Sequence, residues 1–274
     1  MVSCPVGQPI LNGVASLSFL RNIWRAFLVV SYFAYAAAEL AITRPHTRPE
    51  RAAWLTRFCQ RILRALKVTY SVNGPVPLQG AVISNHLTFI DILLHSAIRP
   101  CVFVSKIELR SQPLLGWMSM MSGTVYVARG RGGSASKAAE GMAKGFRDGL
   151  PVVFFPEGTT GVGDEAAMAF RSGLLAQAID VGAPVTAGFI SYAIPPKDIA
   201  EGRTLRHDVH WGPQGFLDHI WSFLSLHGLH ATMQFADAPI AFSEAAVANR
   251  KVAAVEARDA VIRLSEVTSA GASS

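Results

Sequence analysis

From residue 68 onward, short β-type runs alternate with helical ones, and no other feature of the chain limits its fold so tightly. Runs rich in Val, Ile, Phe, Tyr and Thr fall at 68–72, 81–84, 101–105, 124–128, 151–155 and 184–190, with weaker ones at 206–211 and 231–236. Helical periodicity falls between them at 88–98, 112–121, 134–148, 168–181, 214–228 and 243–267. Strands joined through helical crossovers lie side by side, so the pattern predicts an α/β domain. A central mixed, partly parallel sheet flanked by helices is expected over 68–268, followed by a disordered tail at 269–274.

The first 67 residues follow a different rule. Ala26 to Ala38 carries no charge, and only Glu39 interrupts the run as far as Thr43. A spanning helix needs about 20 apolar residues, which makes this run borderline. A signal peptide is disfavoured, because the apolar stretch starts late and lacks a small-residue cleavage site. On a helical wheel Ser18, Arg21, Arg25, Tyr32, Tyr35 and Glu39 share one stripe. The stripe favours a helix lying in the membrane interface, with its polar side against water or protein, over a span surrounded by lipid. Arg44-Pro45 and Arg48-Pro49 then break the helix.

A second helix is expected at 51–67, with Arg57, Arg61 and Arg64 on one face and Leu55, Phe58, Cys59, Ile62, Leu63 and Leu66 on the other. Such a helix suits a headgroup surface, with an ordinary surface position packed on a core as the alternative. The charge balance bears on that choice. Residues 1–80 hold nine basic and two acidic side chains (9 − 2 = +7), while the remaining 194 hold 16 and 17 (16 − 17 = −1). Basicity gathered beside apolar helices points to a membrane partner and away from nucleic acid. With 50% hydrophobic and 16% charged residues, disorder is excluded. Cys4, Cys59 and Cys101 lie far apart, so free thiols and no structural zinc are expected.

Three segments carry candidate chemistry. In Asn85-His86-Leu87-Thr88-Phe89-Ile90-Asp91 a histidine stands where a strand meets a helix. That histidine suits a general base, and Asp91 could fix its tautomer; Thr88-x-x-Asp91 is also a capping box, a purely structural alternative. Phe155-Pro156-Glu157-Gly158-Thr159-Thr160-Gly161 follows another apolar strand. Its glycines allow close backbone approach, Glu157 could accept a substrate hydroxyl, and Thr159 and Thr160 could bind a polar headgroup. Gly123 to Arg129 adds a strand ending in a cation. His207, His210, His219, His227 and His230 have no Cys or paired carboxylate in the sequence beside them, so no metal is expected.

In this order and spacing, the His86-x-x-x-x-Asp91 block, the arginine-ended strand at Arg129 and the Phe155-Pro-Glu-Gly-Thr159 block resemble the lysophosphatidic acid acyltransferase (1-acylglycerol-3-phosphate acyltransferase) family of membrane glycerolipid acyltransferases. The resemblance covers roughly residues 65–190 and includes 106–117, while the N-terminal helix pair looks like the family's membrane-docking element. It implies acyl transfer from coenzyme A or acyl carrier protein to the free hydroxyl of a lysolipid, with no other cofactor. His86 would be the base and Asp91 its orienter. Glu157, Gly158, Thr159 and Thr160 would position the acceptor, and Arg129, with Arg171 or Lys106 as a further cation, would hold a phosphate. Phosphatidic acid is the expected product, and acylation of a lyso-aminolipid, such as lyso-ornithine lipid, is the alternative. A non-catalytic lipid-binding or tethering protein is the alternative of another class. The expected place is the cytoplasmic face of a membrane, peripheral or monotopic. Three positions depart from the family pattern: Thr88 for serine, Thr160 for an arginine that would bind phosphate, and Gly188 for a proline.

Overall fold

Alternation along the strands sets up two apolar faces, and the structure buries both. The computed structural model describes residues 10–111, 113–121, 123–127 and 134–271. Strands β1 (Val68–Asn73), β2 (Ala81–Ile83), β3 (Val102–Lys106), β4 (Val125–Val127), β5 (Val152–Phe154), β6 (Val185–Ala193) and β7 (Leu229–Phe235) form one sheet in the order β1-β7-β6-β2-β5-β3-β4. β6 and β7 pair antiparallel and every other neighbouring pair is parallel, so the sheet is mixed and largely parallel as expected.

The helices are α1 (Ile10–Thr43), α2 (Arg48–Ala65), α3 (Ile90–Ile98), α4 (Pro113–Met121), α5 (Ser134–Arg147), α6 (Ser172–Asp180), α7 (Pro196–Ala200), α8 (Phe216–Ser225), α9 (Glu244–Ala248) and α10 (Arg250–Gly271). One face of the sheet turns Val82, Val153 and Ile190 toward α2, α3 and α8 through Phe58, Ile62, Leu94 and Phe223. The other turns Ala81, Ile83, Phe154 and Val185 toward α5, α6 and α10 through Met142, Leu175 and Ala257. Period-2 alternation in each strand is what feeds both layers.

Two expected elements differ. Residues 206–211 form no strand: Leu205–Val209 is a π-helical turn, in which the Thr204 hydroxyl accepts from His207 N and Asp208 accepts from Thr204 N at 2.9 Å and pairs with Arg203. Local side-chain acceptors there compete with sheet pairing. The long helix expected at 243–267 breaks at Asn249, whose Oδ1 accepts from Lys251 N at 2.9 Å, giving α9 and α10. α10 continues to Gly271, three residues into the expected tail, and 272–274 lie outside the described residues.

The second helix begins earlier than expected, because Pro49 sits in its first turn and does not interrupt it. Thr47 caps α2 in a reciprocal capping box with Glu50. The charged residues of the α1 stripe face protein, while Tyr35 is exposed. Arg25 donates to the carbonyls of Leu224, Leu226 and His227, and Arg21 to Ser225 O and, at 2.7 Å, to His227 Nε2. Glu39 pairs with Arg57 at 2.8 Å and Arg61 at 2.7 Å, and Trp54 Nε1 donates to Ala36 O. Two of the three arginines expected at a headgroup surface are therefore engaged with Glu39. The opposite flank of α1 remains apolar and open, with Leu20, Ile23, Trp24, Phe27 and Val30 exposed. Ser18–Thr43 is long and apolar enough to cross a membrane, which suggests membrane association.

Candidate active site

β2 lies between β5 and β6, and the chain leaves β2 and β5 in parallel, so their C-terminal loops emerge side by side. In open α/β sheets such a crevice is the usual ligand site. Here it joins residues 84–91 to residues 155–161. The loop after β2 is stitched in place from several elements. Asn85 Nδ2 donates to Ile190 O and Asn85 Oδ1 accepts from Ile190 N, both at 2.8 Å, so its amide extends the β2–β6 ladder by one rung. Gly161 N donates to His86 O at 2.7 Å, and Trp211 N to Leu87 O at 2.8 Å.

His86 Nδ1 lies 2.8 Å from Asp91 Oδ2, with the imidazole 15% exposed and Asp91 fully buried. The same Oδ2 accepts the amides of Leu87 at 2.7 Å and Thr88 at 2.9 Å, and Tyr192 donates its hydroxyl to Oδ1. Capping and histidine orientation are thus one arrangement, and Asp91 serves both. The expected Thr88 side-chain cap does not form: α3 has no side-chain cap hydrogen bond, and the Thr88 hydroxyl faces His219 Nε2 at 3.5 Å. The His86 ring stacks on Phe155, with centroids 4.0 Å apart and planes 10° apart. With Nδ1 held by Asp91, Nε2 is the ring nitrogen left for a reacting proton.

Glu157 differs from the expected open acceptor. It is 4% exposed, its Oε1 accepts from Met168 N at 3.2 Å, and its buried Oε2 has no hydrogen-bond partner. Burial pushes its carboxyl up to about 8, the nearby Asp91 charge adds to the rise, and the amides of Met168 and His86 oppose it. Gly158 follows in the left-handed region at φ 72°, donating its N–H to Phe155 O, a conformation that favours glycine. Thr159 is exposed. Thr160 is spent on the scaffold: its hydroxyl donates to Trp211 O at 2.7 Å. Arg171, exposed at the start of α6, donates its backbone N–H to Pro156 O at 2.8 Å, which places it beside the Glu157 turn. Lys106 ends β3; Arg129 lies outside the described residues.

Sequence spacing missed Tyr192 and Trp211, and weighed His219 only as a metal ligand; all three approach the His86–Asp91 loop from more than a hundred residues away. The turn at 205–209 and helix α8 carry the last two. His219 is buried, is parallel-stacked on Trp211 at 6.0 Å, and has its imidazole pushed down to about 4 by burial. His227 does meet two carboxylates, Asp198 at 2.8 Å and Glu201 at 3.8 Å, that the sequence sets apart from it. The Arg21 guanidinium already occupies its other nitrogen, so the group fastens α1 to the body. Gly188 also gains a reason, since a Cβ there would meet the Phe235 ring at 3.0 Å.

Comparison with known proteins bears on this geometry. The acyltransferase family model matches residues 67–191. The lyso-ornithine lipid O-acyltransferase of Pseudomonas aeruginosa is 36% identical over 140 residues, 51% of this chain and 52% of that protein, so the chain spans about half the length of that relative. The enzyme of the same name from Rhodobacter capsulatus is 30% identical over 81% of this chain and 80% of its own length. The 1-acyl-sn-glycerol-3-phosphate acyltransferase of Neisseria meningitidis serogroup B is 30% identical over 64% of this chain and 67% of its own. The crystal structure of the 1-acyl-sn-glycerophosphate acyltransferase PlsC from Thermotoga maritima shares the fold, with a TM-score of 0.64 at 20% identity over 90% of this chain and 96% of that one.

Proposed function

We propose that this chain, which belongs to the lysophosphatidic acid and lyso-lipid acyltransferase family, transfers a fatty acyl group from a thioester to the free hydroxyl of a lysolipid at a membrane surface. The observation that carries the reading is the half-buried His86 held through Nδ1 by a buried Asp91, with Nε2 left for a substrate. His86 Nε2 takes the proton of the acceptor hydroxyl as its oxygen attacks the thioester carbonyl. The tetrahedral intermediate then collapses, the C–S bond breaks, and the thiol of coenzyme A or acyl carrier protein leaves with the proton from His86. Asp91 holds the imidazole in one tautomer and stabilises its transient charge. Glu157, whose carboxyl is pushed up to about 8 and is therefore largely protonated at neutral pH, is enclosed and positions the acceptor through the turn it braces against Met168 N. The protein sits monotopically at the cytoplasmic face, with the apolar flank of α1 in the lipid.

The acceptor we infer is a lyso-aminolipid of the lyso-ornithine kind. A phosphate monoester calls for arginine forks, and this chain places Thr160 where many family members have arginine, with the threonine hydroxyl committed to Trp211. The Pseudomonas and Rhodobacter relatives carry the lyso-ornithine name. Lysophosphatidic acid is the second reading, favoured by the Neisseria relative and by Arg129 in the sequence. The test is mass spectrometry of the products from one acyl thioester with each acceptor at equal concentration. Higher kcat/KM on the aminolipid is expected, and preference for lysophosphatidic acid reverses the order of the two readings. In the same assay His86→Ala should lose about 10²–10⁴ in rate. Turnover in His86→Ala close to that of the wild type overturns the base assignment.

A further inference from the structure

We propose that Tyr192, on β6, is a positioning residue for the His86 base, acting through the carboxylate of Asp91. The proposal rests on His86 being the base. The Asp91 carboxylate is fully enclosed and its two oxygens are divided by role. Oδ2 takes His86 Nδ1 and the amides of Leu87 and Thr88, and Oδ1 takes the Tyr192 hydroxyl. Of these partners the phenol is the one supplied by a different strand, on the far side of the site. It ties the β2 loop to β6 next to the Asn85 rungs. Burial beside the Asp91 charge pushes the phenol well above its usual range, so it acts as a donor at any pH used for assay.

The consequence is chemical as well as geometric. Each donor to a carboxylate lowers its basicity, and Asp91 in turn sets how strongly the imidazolium is favoured. Removing the phenol leaves Oδ1 buried without a donor and concentrates negative charge on the oxygen facing His86. The other titratable groups around the pair are Glu157 after β5, His95 on α3, His210 after the π-helical turn, and His219 on α8. None of these four has a hydrogen bond to the Asp91 carboxylate among the described contacts.

Tyr192→Phe removes the hydroxyl and keeps the ring. With the full chain in detergent or lipid, kcat should fall about 10- to 100-fold with KM for both substrates changed less than about threefold. The acid limb of the kcat/KM profile should move to higher pH by about half a unit to one unit. A second, gentler variant protects the test against misfolding: 3-fluorotyrosine at 192, a stronger donor, should move the same limb to lower pH. A double-mutant cycle with Asp91→Asn should show that loss of the phenol costs little once the carboxylate is gone. An unmoved limb in both Tyr192 variants, with His86→Ala inactive, overturns the proposal and leaves the base assignment standing. Wild-type activity in His86→Ala would overturn both.

Discussion

Glu157 shows how a single buried carboxyl makes stability depend on pH. Its ordinary value of 4.5 is raised to about 8 in the fold, so between those values the folded chain binds more protons than the unfolded one. Stability from this group is therefore fully present below about pH 4.5 and is lost as pH rises toward 8, by at most about 1.4 kcal/mol per unit. Glu157→Gln keeps the shape and removes the titration. Urea unfolding from pH 5 to pH 9 should show a flatter profile in the variant, which gains relative to the wild type at the alkaline end. Parallel profiles would mean that Glu157 ionises freely in the native state. The residue names of the site were open to sequence reading, since His86 and Glu157 follow strand ends and Asp91 opens the next helix at recognisable spacing. Their environments were not. Glu157 is enclosed with its carboxyl against Met168 N, and the Thr160 hydroxyl is turned to Trp211 in a loop some 50 residues away, neither of which local spacing shows.

At the scale of elements, the strands from β1 to β6 were legible because each is a short apolar run bounded by turns, whereas their order in the sheet, β1-β7-β6-β2-β5-β3-β4, was not, since it depends on long-range pairing. The reversal at β6–β7 was less legible, since β7 alternates buried and half-open residues as an antiparallel strand does while still pairing parallel with β1. Tyr192, placed on the site by β6, could not be found by local spacing. Its hydrogen bond to Asp91 spans 101 residues of sequence. Asn85 tests how far the β2–β6 junction controls the chemistry. Its amide makes two buried hydrogen bonds to the backbone of Ile190. Asn85→Ala strands a buried N–H and C=O, and should cost about 2–4 kcal/mol in chemical denaturation. Activity measured where the variant is fully folded should also fall, because the His86 loop loses its anchor. A stability loss with unchanged kcat would place the anchoring in Gly161 and Trp211 instead.

For the whole molecule, the proposed membrane association raises the question of which force would hold the chain on lipid. The excess of positive charge in residues 1–80 suggests electrostatics, and the structure reassigns part of it: Arg57 and Arg61 pair with Glu39, Arg48 with Asp148, and Arg21 and Arg25 bind the α8–β7 connection. The open flank of α1 is built differently. Leu20, Ile23, Trp24 and Phe27 recur at helical spacing, Trp24 and Phe27 stack at 5.7 Å, and Phe19 leads across to Trp221 on α8 at 5.9 Å. Each large apolar side chain moved from water into lipid contributes about 1.5–3 kcal/mol, whereas a surface cation near anionic lipid contributes about 1 kcal/mol and is screened by salt. Apolar insertion should therefore dominate. Trp24→Ser with Phe27→Ser should weaken co-sedimentation with vesicles at least about 100-fold, on zwitterionic and anionic lipid alike. Raising salt to about 0.5 M should reduce wild-type binding to anionic vesicles only in part. Full release by salt, or double-variant binding equal to wild type, would return the membrane contact to the basic side chains Arg44, Arg51 and Arg64.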